Sequence, residues 1–175
     1  MREKIMGVIP LMVALMFVVA LGAYSSPSYA ATATQTVTVT VPEAISIVVP
    51  NVNFGSVSAG STGTSPNFDI QNTGNVKIDL YVNATDSALR SGTATDIIGV
   101  GNLTISSNVA SGNYVQIPYG SAIKIYDNMN KAAQGSGTPT TWTTNMKLVV
   151  PSFTEDGAYS INLLYTAVKH NAALP

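Results

Sequence analysis

Cysteine is absent from this chain, so it can hold neither a disulfide framework nor a cysteine metal centre. Histidine occurs once and tryptophan once, and charged residues make up only 10% of 175 positions. The 8 Lys and Arg nearly balance the 9 Asp and Glu. No basic tract exists to meet a phosphate backbone, so nucleic acid is not an expected partner. With 46% hydrophobic residues and a net charge of −1, the chain is too apolar and too weakly charged for intrinsic disorder. Catalytic signatures are missing too: there is no G-x-S-x-G elbow, Gly-rich phosphate loop or His pair at metal spacing. No enzyme and no cofactor are expected.

What the chain has begins with its leader. Arg2 and Lys4 precede an uncharged run from Ile5 to Ala23, and Ser28-Tyr29-Ala30 offers the small residues that a signal peptidase reads. A signal peptide over residues 1–30, cut between Ala30 and Ala31, is expected. The alternative is an uncleaved anchor, since the run approaches the roughly 17–25 residues of a membrane span. Without the leader, 6 basic and 8 acidic side chains remain, a net of −2, on a chain holding 19 Thr, 14 Ser and 14 Asn. Such a surface is wet but weakly charged, and its Thr and Val favour strands.

The mature chain opens with the clearest strand pattern. In Gln35–Val41, Val37, Val39 and Val41 alternate with threonines until Pro42. Further strands are expected at 44–49 and 54–57. Next comes a hairpin of 68–71 with 76–83 around a three-residue Asn72-Thr73-Gly74 loop. That register faces Phe68, Ile70, Val76, Ile78, Leu80 and Val82 inward, pairs Ile70 with Val76 and Asp69 with Lys77, and puts Gly74 in the left-handed conformation. Residues 86–101 read as a long loop with one helical turn near 95–98. Strands follow at 103–106, 114–117, 122–127, 141–150 and 158–168, with a flexible loop at 130–138. The expected fold is all-β, an antiparallel sandwich of jelly-roll or immunoglobulin-like Greek-key type over residues 42–170, with a frayed tail at 171–175. Glu155-Asp156-Gly157-Ala158-Tyr159 has the layout of a tyrosine corner, in which the phenol bonds back to the preceding backbone. An ordinary turn before a core tyrosine is the alternative.

Site chemistry is sparse. His170 is expected where the chain end begins to fray, over 170–175, exposed and unfit for catalysis. The carboxylates Asp69, Asp79, Asp86, Asp96, Asp127, Glu155 and Asp156 read mostly as solvated surface. Asp127-Asn128-Met129-Asn130 spaces oxygen donors as calcium loops do, but the glycine and distal glutamate of an EF-hand are missing, so a turn is expected. Asn83-Ala84-Thr85 and Asn102-Leu103-Thr104 are N-glycosylation triplets, with Asn83 outward in the expected register. Tyr81, Tyr114, Tyr119 and Tyr126 are candidates for a sugar-binding platform.

The segment from Ile45 through Phe54-Gly55-Ser56-Val57, Gly60 and Asn72-Thr73-Gly74-Asn75 to Trp142, Val150-Pro151 and Gly157-Ala158-Tyr159 resembles secreted β-sandwich surface proteins of archaea and Gram-positive bacteria. The nearest are TasA/camelysin-like biofilm matrix proteins and archaeal bundling pilins. The resemblance is one of layout, carried by short motifs. It implies an extracellular fibre subunit polymerised by donor-strand complementation, whose main partner is another copy of itself. Residues 31–41, with Val37, Val39 and Val41, are then the donor strand, and the membrane is met only during export. Eleven extended residues reach roughly 36 Å, enough to cross a neighbouring domain. The rival reading pairs this strand within its own domain. A surface adhesin or glycan-binding module, with other surface proteins or glycans as partners, is the alternative function.

Overall fold

The computed structural model describes residues 32–110 and 113–174. The expected leader and its cleavage residues, Ala30 and Ala31, lie outside them. The chain divides into two units, one through Thr40 and one from Val41 onward. The second is all-β, with four antiparallel sheets and one short 3-10 turn at Val100–Asn102.

Its strands are β1 (Ile47–Val48), β2 (Thr62–Thr64), β3 (Phe68–Asn72), β4 (Ile78–Ala84), β5 (Ala88–Ser91), β6 (Ile97–Gly99), β7 (Leu103–Ser106), β8 (Tyr114–Gln116), β9 (Ile123–Met129), β10 (Thr140–Thr144), β11 (Met146–Val149), β12 (Tyr159–Ser160) and β13 (Leu163–Lys169). The sheets are ordered β1-β3-β10, β2-β11-β7-β8, β12-β5-β6 and β13-β4-β9. One apolar cluster draws side chains from all four, among them Ile70, Leu80, Leu89, Ile98, Ile105, Ile125 and Leu148. Each such buried side chain stabilises the fold by about 1.5–3 kcal/mol.

The expected hairpin does not form, and Val76, expected inward opposite Ile70, is only half-buried in a bend, although the other five inward residues are buried. Phe68, Ile70, Ile78, Leu80 and Val82 are buried, yet β3 pairs with β1 and β10 while β4 pairs with β13 and β9. Asn72 causes the crossing. Its fully buried amide donates to the Val76 carbonyl (3.0 Å) and the Asn130 carbonyl (2.9 Å) and accepts from Gly74 N–H (2.9 Å). This side-chain turn carries the chain from one sheet to another. Gly74 serves closeness rather than left-handedness: a Cβ there would lie 2.3 Å from the Ala44 carbonyl oxygen. Asp69 lies opposite Thr143, whose hydroxyl it accepts at 2.6 Å, and not opposite Lys77.

Other expectations shift for similar local reasons. Residues 54–57 form no strand. Asn53 Oδ1 accepts Gly55 N–H at 2.8 Å, an Asx turn that competes with a ladder, and Gly55 has φ 68°. The expected loop at 86–101 is mostly a hairpin, β5 with β6, and its helical turn falls at Val100–Asn102. The single strand expected over 141–150 is two, β10 and β11, which break at Asn145 and join different sheets. In the first unit and its continuation, residues 32–46 form no strand. The strand expected at Gln35–Val41 therefore belongs to no sheet, because strand geometry persists only where a ladder partner exists.

Candidate assembly interface

Val37, Val39 and Val41 are 84%, 85% and 72% exposed. Alternate β-branched residues at a period of two put one apolar row on one face of any strand they form, at about 6.7 Å intervals. Their exposure leaves that row to be buried by something else.

The unit from Val41 onward contains a groove of about 370 Å³ that suits such a row. Val49, Pro50, Val52 and Phe54 line it from one segment and Tyr159, Ile161, Leu163 and Tyr165 from another, with the polar Asn51, Ser160 and Asn162 among them. Buried Leu89, Leu103 and Met146 also line it. The second of these segments comes from β12 and β13, both at the ends of their sheets. Among the described residues no strand pairs with their outer edges, and an edge strand presents an unsatisfied row of N–H and C=O groups. The first segment, 49–57, is strandless. Burial pushes the Tyr165 phenol above the ordinary tyrosine range, and no described hydrogen bond takes its proton. Tyr159, Ile161, Leu163 and Tyr165 all pack on the core cluster.

The tyrosine-corner hydrogen bond is present beside this groove. Tyr159 Oη donates to the Glu155 carbonyl at 3.0 Å. Glu155 Oε2 accepts from Thr95 N–H (2.6 Å), Thr95 Oγ1 (3.0 Å) and Asp96 N–H (3.2 Å), and those donors, led by the Thr95 amide, lower its carboxyl.

Two expectations about polar residues are overturned. Asp79 is not solvated surface but 1% exposed, and His170 is held rather than frayed. At β4–β9, Ile78 pairs with Met129 and Leu80 with Tyr126, so β9 carries an extra residue. Asn128 bulges there at φ 58° and turns its N–H onto Asp79 Oδ1 at 2.9 Å. His170 Nδ1 (2.7 Å), Lys124 Nζ (3.0 Å) and Asn171 N–H (3.3 Å) complete the shell. Burial pushes the Asp79 carboxyl up, but the Asn128 amide, His170, Lys124 and the Asn171 amide together hold it well below the usual carboxylate range. Asp79, Asp127 and His170 offer ligand atoms within 4.8 Å of one another. The Lys124 ammonium already bridges both carboxylates, reaching Asp127 Oδ1 at 2.9 Å, so the local cation is the protein's own.

The remaining candidates are scattered. Asn83 sits within β4, its amide donating to the Ala84 carbonyl, and the Asn102 amide donates to the Gly99 carbonyl. Of the four open tyrosines only Tyr119 is exposed. Tyr126 packs on Trp142 with ring centroids 4.9 Å apart, Tyr81 and Tyr114 each face a lysine ammonium, and no aromatic platform results. No helix among the described residues is long and apolar enough to cross a membrane. No family model matches the chain, and no curated protein matches its sequence.

Proposed function

We propose that this protein is a secreted structural subunit that assembles with copies of itself into an extracellular filament or matrix, without a catalytic role. Residues 31–41 of one copy add a strand to the next copy by entering the groove between 49–54 and β12–β13. The observation that carries this reading is the pairing of an exposed apolar row at Val37, Val39 and Val41 with a groove of mixed polar and apolar lining beside unpaired strand edges. The added strand satisfies the edge N–H and C=O groups while its valines fill the groove, the logic of β-strand addition. Each valine buried contributes on the order of 1.5–3 kcal/mol. The proposal includes a β-sandwich fold of jelly-roll or immunoglobulin-like type. One core cluster fed by four sheets, strands that pass from sheet to sheet at Asn72, Asn145 and Ile161, and the tyrosine corner all favour it. Export by the 1–30 leader belongs to the same reading.

Electron microscopy of the full chain, expressed with its own leader and purified after export, tests it. Filaments are expected from the wild type and none from V37D/V39D. A wild type that stays monomeric at high concentration, or a variant that polymerises as well as wild type, overturns the reading.

A further inference from the structure

The register of the long central strand run sorts most charges of the unit from Val41 onward by end, Asp69 on β3 and Lys147 on β11 lying in other sheets. β4 runs from Ile78 to Ala84 and continues as β5, because β13 and β12 pair with them in one unbroken direction: Lys169 opposite Ile78, Leu163 opposite Ala84, Ser160 opposite Arg90 and Tyr159 opposite Ser91. Lys77, Lys131, Lys169 and the Lys124 ammonium therefore gather at the Ile78 end. Lys131 arrives there because the neighbouring Ala132 N–H bonds to the Gly74 carbonyl, and Lys124 because it reaches Asp79. Asp86, Asp96, Glu155 and Asp156 gather at and beyond the Ala84 end, together with Arg90.

The Ile78 end carries four lysines against Glu43, Asp79 and Asp127, one net positive charge, and the other end carries Arg90 against four carboxylates, three net negative charges. At the Ile78 end, Glu43 meets Lys169, and Asp79 and Asp127 meet Lys124. Lys77 and Lys131 are exposed with no ion pair among the described residues. At the other end Arg90 is taken by Asp86, and Asp96, Glu155 and Asp156 meet no cation. The acidic end also carries Phe153, 96% exposed with φ 65°, a conformation that costs a non-glycine residue of order 1 kcal/mol. Hydrogen bonds hold its loop: Thr154 N–H and Oγ1 bond the Pro151 carbonyl, and Glu155 N–H bonds Asp96 Oδ2. At the basic end Val41 and Ile45 are exposed apolar residues.

We propose that the acidic Phe153 end of one copy docks on the basic Lys77/Lys131 end of the next, a head-to-tail contact between copies of this chain. It rests on the reading of the protein as a self-assembling subunit, and adds to strand exchange a second contact that sets polarity. Opposite charges on opposite ends favour head-to-tail approach, and like ends repel. A heterologous contact of this kind repeats without closing and so builds a filament. Val41 and Glu43 leave the basic end, and the groove-lining residues Tyr159 and Ile161 lie toward the acidic end, so the charges bring a strand's root to the end where the neighbour's groove lies.

The test measures the concentration at which the exported full chain assembles, by sedimentation and light scattering, at about 20 mM and about 500 mM salt. K77E/K131E is expected to raise that concentration about tenfold in low salt, and to approach wild type in high salt, where repulsion is screened. D156K and F153S are expected to raise it less. Far-UV circular dichroism checks that each variant folds. A K77E/K131E chain that assembles like wild type in low salt overturns the proposal, as does a deficit that high salt leaves unchanged. V37D/V39D separates the two ideas. Salt-sensitive oligomers that survive that change support head-to-tail docking while removing the donor-strand role. A wild type that never assembles removes both.

Discussion

His170 Nδ1 lies 2.7 Å from Asp79 Oδ1, joining residues 91 positions apart. The pair ties the chain beyond β13 to the β4–β9 bulge, and Asp79 is otherwise surrounded by donors. A carboxylate so placed stabilises the fold only while it is charged. Replacing Asp79 with alanine leaves the Asn128 and Asn171 amides and His170 without that acceptor, and Lys124 with Asp127 alone. The expected loss is about 3 kcal/mol of unfolding free energy, measured by urea titration.

The same site sets an acid limb. Asp79 is lowered in the folded chain, so its contribution is fully present above the unfolded carboxyl value of about 3.9 and drains away as pH falls from there toward the folded value. Wild type is expected to lose stability steeply below about pH 4. D79N, already weakened at neutral pH, should show a shallower slope there in thermal melts at stepped pH. Parallel slopes would remove Asp79 as the source.

Tyr159→Phe removes one hydroxyl and leaves the ring. The Glu155 carbonyl loses its 3.0 Å donor at an exposed site where water can replace it, so the expected cost is about 1 kcal/mol. If the corner also steadies the groove wall, assembly should weaken alongside. Denaturation and the assembly threshold, measured on the same preparation, separate the two effects.

Gly74→Ala tests the sheet crossing. The new methyl meets the Ala44 carbonyl oxygen at 2.3 Å and Ser46 N at 3.0 Å, both backbone atoms, so the 44–46 segment must move. About 2–3 kcal/mol of destabilisation is expected, with loss of the Thr73 N–H bond to Ser46 O seen as faster amide exchange there.

These sites show which features the sequence carries openly. The corner at Tyr159 is local, five residues in a row, and was legible. So was β7, whose Leu103 and Ile105 alternate with Thr104 and Ser106. The inward faces of β3 and β4 were also legible, but their partners were not. Alternation says which side of a strand is buried, and a hairpin and a sheet crossing bury the same side. The deciding group was the Asn72 amide, whose second acceptor, Asn130 O, lies 58 residues on. Asp79 was misread for the same reason. Its position opposite Ile78 and Leu80 in the alternation points it away from the core, as expected, but Lys124 and Asn128 of β9 and His170 and Asn171 beyond β13 cover it from two other segments. The arm's apolar row was plain in the sequence. The groove was not, because its walls are two segments about a hundred residues apart.

Strand exchange has two separable halves, and that gives the sharpest test of the proposed function. V37D/V39D spoils donation, since a carboxylate cannot enter the groove without losing its hydration, but leaves the groove intact. I161K spoils acceptance: Ile161 is half-buried on the groove wall, where a lysine can extend its stem and put its ammonium in the donor's path, and this leaves the arm intact. Neither variant should polymerise alone. Mixed in equal amounts they should form heterodimers, because one working arm meets one working groove and neither end can continue. Size-exclusion chromatography with light scattering should therefore show monomers separately and a dimer on mixing. Mixtures that stay monomeric would mean that the valine row and this groove are not partners.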